Sequence, residues 1–98
     1  MKLPVFSSRD AQQMLRKLGI EAEQTKEVHG KFYYEGNLIT QFTFPGSHGG
    51  RDLSPIVRQS IRKNSKLPPE EFVRLINCPM RHDEYVEALK RKGFIPPD

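Results

Sequence analysis

Cysteine is nearly absent: Cys78 is the only one in 98 residues. That excludes an intrachain disulfide and leaves no thiolate cluster for a metal. Beside Pro79, it reads as a small apolar filler. No apolar run approaches the ~20 residues needed to span a bilayer. The opening Met1-Lys2-Leu3-Pro4-Val5-Phe6 lacks the apolar stretch of a signal peptide. A cytoplasmic protein with no membrane partner is therefore expected. Histidine is scarce too. His29, His48 and His82 show no i,i+4 spacing and no helical His-Glu pairing, so nothing calls for a metal or another cofactor.

What remains is the composition of one small globular domain, with 36% hydrophobic and 29% charged residues. The formal charge is +4, which favours polyanionic partners. Its distribution says more than its total. Residues 51–66 carry Arg51, Arg58, Arg62, Lys63 and Lys66 against the single acid Asp52, a local excess equal to the whole chain's. Such a stretch serves either phosphate binding or plain solubility.

The first helix is read from a cap and a stripe. Ser7 or Ser8 can accept from the free amides of the first turn, and Asp10 suits the positive end of the dipole. Ala11, Met14, Leu15 and Leu18 then repeat at i, i+3, i+4, i+7, and Gly19 ends the helix. Three strand-like runs follow. Residues 20–28 alternate loosely, residues 31–35 are aromatic, and in 38–44 Leu38, Thr40, Phe42 and Phe44 share one face. Glu35-Gly36-Asn37 supplies a tight turn. Short connections predict an antiparallel meander.

Ser54-Pro55 opens a second helix, with Ile56, Val57 and Ile61 expected to pack on the sheet and Arg58 and Arg62 to point outward. A short helix over 70–76 turns Phe72, Leu75 and Ile76 inward. Asp83 is expected to cap a last helix carrying Tyr85, Val86 and Leu89, stopped by Gly93. The runs Leu15-Arg16-Lys17-Leu18-Gly19-Ile20 and Leu89-Lys90-Arg91-Lys92-Gly93-Phe94 look alike, which reads as shared helix-ending grammar. The expected fold class is α+β, with helices on one face of an antiparallel sheet. The order helix-strand-strand-strand-helix is also that of double-stranded-RNA-binding domains.

Several segments, taken in order, resemble the HicA-type toxins of toxin–antitoxin systems. Lys2-Leu3-Pro4-Val5-Phe6-Ser7-Ser8-Arg9 looks like that family's start. Lys26-Glu27-Val28-His29 falls where the family has Lys/Gln-Gly-Ser-His. Phe44-Pro45-Gly46-Ser47-His48-Gly49-Gly50 resembles its strand-end Val-Pro-x-His loop. Leu53-Ser54-Pro55 through Arg62, then Leu67-Pro68-Pro69-Glu70-Glu71-Phe72, resembles its second helix and the step after it. The likeness implies a double-stranded-RNA-binding-domain-like α-β-β-β-α domain over 1–76, with 77–98 as a helical extension packed on it. It implies a metal-independent endoribonuclease (an mRNA interferase) acting on messenger RNA and neutralised by a HicB-like antitoxin.

By the same resemblance His29 is the catalytic acid or base and His48 a second catalytic group or phosphate contact. Lys31, two residues on along the same side of a regular strand, is a further candidate for either role. Imidazole is suited to this because both its forms lie within reach near neutral pH. Lys26, Arg51, Arg58, Arg62 and Lys63 are the candidate RNA phosphate contacts. Three positions depart from the family pattern. Glu27-Val28 replace its Gly-Ser, putting a carboxylate near the phosphate and removing a hydroxyl. Gly30 follows the histidine where the family often has His, Arg or Lys. A non-catalytic RNA-binding module of the same fold, or a protein-interaction module using the C-terminal helix, fits these departures.

Overall fold

Helix α1 (Ser8–Lys17) begins with a reciprocal lock. The Ser7 hydroxyl accepts from the Asp10 amide at 3.2 Å, and the Asp10 carboxylate accepts from the Ser7 amide at 2.9 Å. In the computed structural model, which describes residues 3–46, 52–77 and 80–96, the stripe Ala11, Met14, Leu15 and Leu18 is buried. Gly19, at φ +72°, then reverses the chain. The Ile20 amide donates to the Leu15 carbonyl and the Gly19 amide to that of Arg16, each at 3.0 Å, closing the helix end.

Three strands follow as an antiparallel meander: β1 (Ala22–Gln24), β2 (Glu27–Tyr34) and β3 (Asn37–Pro45), with β2 in the centre. The loose alternation over 20–28 yields a strand of only three residues, all of them exposed. The chain turns at Thr25-Lys26, earlier than expected, so His29 lies inside the central strand and pairs with both neighbours. Between β2 and β3, Glu35 and Gly36 both take positive φ, the geometry of a two-residue hairpin turn matched to strand twist.

Leu38 corrects the simple alternation of the third strand. Phe32 pairs with Thr40 but Tyr33 pairs with Leu38, leaving Ile39 as the extra residue of a bulge. Thr40, Phe42 and Phe44 face inward with Val28 and Phe32, while Leu38 is exposed across from Tyr33.

Helix α2 (Pro55–Ser65) is capped as the sequence indicates, the Ser54 hydroxyl accepting from the Val57 amide at 3.3 Å. Ile61 is buried and Val57 half-buried, but Ile56 is 83% exposed and does not reach the sheet. The Thr40 hydroxyl donates to the Asn64 carbonyl at 2.6 Å, tying β3 to α2. In α3 (Pro69–Ile76), Phe72, Leu75 and Ile76 are buried as expected.

Helix α4 (His82–Arg91) starts earlier than a cap at Asp83 requires: Arg81 is the first flanking residue and Asp83 sits in the first turn. It ends as α1 does. Gly93, at φ +83°, lets the Phe94 amide donate to the Leu89 carbonyl and its own to that of Lys90. One apolar cluster runs from Leu3 through the inner sheet face and all four helices to Ile95. Tyr85, Ala88 and Leu89 are fully buried in it, so α4 spends its apolar side within the chain. The result is a small α+β domain: one three-stranded antiparallel sheet, four helices, and one sheet face left open.

Candidate active site

Strand alternation decides which side chains reach the open face. On β2, Val28, Gly30 and Phe32 point inward, and His29, Lys31 and Tyr33 point outward. A Cβ on Gly30 would lie 2.8 Å from Ile20 Cγ2 and 3.1 Å from Leu15 Cδ1. Position 30 therefore belongs to the core, and a cationic residue there would face α1 rather than a substrate. Across the strands His29 stands between Glu23 of β1 and Thr43 of β3. Its Nδ1 is 3.3 Å from the Thr43 hydroxyl. Lys31 sits two residues on, opposite Gln41.

Because β1 begins at Ala22, which pairs with Gly30, it leaves the edge of β2 uncovered from Lys31 onward. A cavity of about 570 Å³ fills this notch. The turn after α1 and the two carboxylates Glu21 and Glu23 form one side; His29, Lys31 and Tyr33 form the floor; His82, from the start of α4, closes the far side. The His82 ring is held against Phe32, with centroids 5.8 Å apart and planes at 54°. Phe32 in turn meets Tyr85 edge-on at 5.2 Å. His82 Nδ1 lies 3.3 Å from the Asp83 carboxylate.

Among the sequence-derived candidates, the fold brings His29 and Lys31 together. It does not bring the basic second helix to them. Helix α2 packs on the inner side of the sheet, so the strands stand between it and His29. Arg58 and Arg62 also do not extend freely outward. Arg58 Nη1 donates to the Pro4 carbonyl at 3.1 Å, and Arg62 donates to the Leu67 carbonyl at 3.1 Å and to the Gln59 side chain at 3.0 Å. Guanidiniums are well suited to gather unpaired carbonyls at helix ends and turns, and these two fasten the N-terminal segment and the link to α3. Lys63 is exposed on α2, and Lys26 is exposed in the β1–β2 turn, at the opposite end of β2 from Tyr33. His48 and Arg51 lie outside the described residues.

Sequence reasoning missed His82 as a site residue. Its neighbours in the cavity all lie between Leu18 and Tyr33, far from it in the chain, and no local spacing links them. Among the described residues, no three His, Cys, Asp or Glu side chains converge as a metal site. No helix among them is long and apolar enough to cross a membrane. In comparisons with protein-family models, curated proteins and solved structures, the chain matches none.

Proposed function

We propose that the protein is a HicA-like endoribonuclease that cleaves messenger RNA and is held inactive by a HicB-like antitoxin. The α1-β1-β2-β3-α2 order, with helices gathered on one sheet face, supports a double-stranded-RNA-binding-like domain. The observation that carries the reading is His29. It is exposed on the central strand, anchored through Nδ1 to Thr43, and lines a cavity beside Lys31.

Cleavage without a metal needs a base for the ribose 2′-hydroxyl proton and positive charge near the phosphorane. In this site His29 takes that proton, and Lys31 balances the charge that gathers on the phosphate oxygens. Exposed Lys26, in the turn before β2, holds a flanking phosphate without reading sequence.

The test is cleavage of a long RNA by purified protein with a chelator present. Wild type cuts, and His29→Ala loses about 100- to 10,000-fold in rate while still binding RNA. Overexpression arrests growth only with His29 intact, and co-expressing the antitoxin relieves the arrest. Equal cleavage by wild type and variant, or none by either, sinks the proposal.

A further inference from the structure

We propose that His82 is the second proton-carrying residue of this site, giving its proton to the leaving 5′-oxygen while His29 takes the 2′-hydroxyl proton. This rests on the ribonuclease reading above and adds to it a residue outside the segments that resemble HicA.

The two imidazoles line one cavity with Lys31, carried by different elements: His29 by the sheet, His82 by α4. Each ring is fixed through Nδ1, which leaves Nε2 for the substrate. At His82 the partner is the Asp83 carboxylate, 3.3 Å away. A carboxylate only accepts, so Nδ1 carries the hydrogen, and Nε2 is the atom that gains or gives up a proton. At His29 the partner is the Thr43 hydroxyl, also 3.3 Å away. A ring that cycles at Nε2 keeps its hydrogen on Nδ1 in both states, and the hydroxyl accepts from it in both, so this contact survives the cycle. The Phe32 ring beneath His82, itself set against Tyr85, limits how far His82 can swing.

Charge gives the cavity a direction. Glu21 and Glu23 line its β1 side and repel a phosphate, whereas Lys31 attracts one. The scissile phosphate is therefore driven toward the floor and the α4 wall, where both histidines are.

The step balances without a co-reactant. His29 Nε2 takes the 2′-hydroxyl proton as O2′ forms a bond to phosphorus. The bond from phosphorus to O5′ breaks, and its electron pair is protonated by His82 Nε2. The products are a 2′,3′-cyclic phosphate end and a 5′-hydroxyl end. His29 is left protonated and His82 neutral, and exchange with water restores both.

An RNA oligonucleotide with one ordinary linkage, and its twin with sulfur replacing the bridging 5′-oxygen, separate the two roles. A thiolate leaves without a proton. His82→Ala and His82→Gln should slow cleavage of the ordinary linkage about 100- to 10,000-fold and cut the sulfur linkage at close to the wild-type rate. His29→Ala should be slow on both. Circular dichroism and melting of the two His82 variants establish that the fold persists, and the glutamine keeps the side chain's bulk should alanine disturb α4. His82 variants that match wild type on ordinary RNA, or that are equally slow on both linkages, overturn the assignment while His29 stands. A wild-type protein that cuts neither substrate overturns the ribonuclease reading and this inference together.

Discussion

At position 30, one methyl group is enough to disturb the site. The alanine Cβ would come within 2.8 Å of a branch methyl of Ile20, which is stiff because it sits on Cβ. Ile20 also lines the cavity, so the strain is relieved by pushing it toward the notch. Gly30→Ala should therefore cost about 1–3 kcal/mol, as overpacked cores do, measured by urea unfolding. On the proposed function, RNA cleavage should fall as well, although no proton-carrying residue has changed. An unchanged unfolding midpoint would show that α1 and the sheet are less tightly apposed than described. The role of Gly30 was half visible in the sequence. Its departure from the family pattern could be seen, but its inward direction depended on where β2 began.

Helix ends are the elements whose chemistry is most local, and they were read most completely. Ser7 and Asp10 lock the start of α1, and Gly19 and Gly93 close α1 and α4 through the same pair of amide-to-carbonyl bonds. The likeness of the runs ending in those glycines is therefore a likeness of caps. Removing the first lock by Ser7→Ala should cost about 1 kcal/mol, a fall in Tm of about 4–8 °C for a chain of this size, followed by thermal circular dichroism. A shift of less than a degree would mean that solvent replaces the cap at no loss. Strand ends were harder to read. Thr25-Lys26 carries none of the Gly, Pro, Asn or Asp that announces a turn, so β1 seemed longer than it is. The bulge at Ile39 was invisible for a different reason. Leu38 and Thr40 alternate correctly by themselves, and only pairing with Phe32 and Tyr33 reveals the extra residue.

Across the whole molecule, α4 is joined to the rest through Tyr85. Its hydroxyl donates to the Ser65 carbonyl at 2.8 Å, and its ring meets Phe32. Burial pushes this phenol well above the ordinary tyrosine value of about 10. In the unfolded chain it ionises at the ordinary value. Tyr85 thus leaves stability intact below about pH 10 and lowers it as pH rises beyond that. Tyr85→Phe should lose about 0.5–1.5 kcal/mol at neutral pH, the worth of one hydrogen bond. The variant should then decline less steeply than wild type under alkali. Parallel alkaline curves for the two proteins would count against the buried phenol. None of this long-range joining could be read from spacing. The sequence placed Tyr85 on the last helix, but not against Phe32, and so not the wall that carries His82.

That wall is also the last part of the notch to be made. Translation releases the sheet, with His29 and Lys31, well before α4 follows. A nascent chain stopped short of residue 82 holds a floor without its far side. If the two histidines work together, the notch gains its second proton-carrying side chain only after α4 has followed the sheet out of the ribosome.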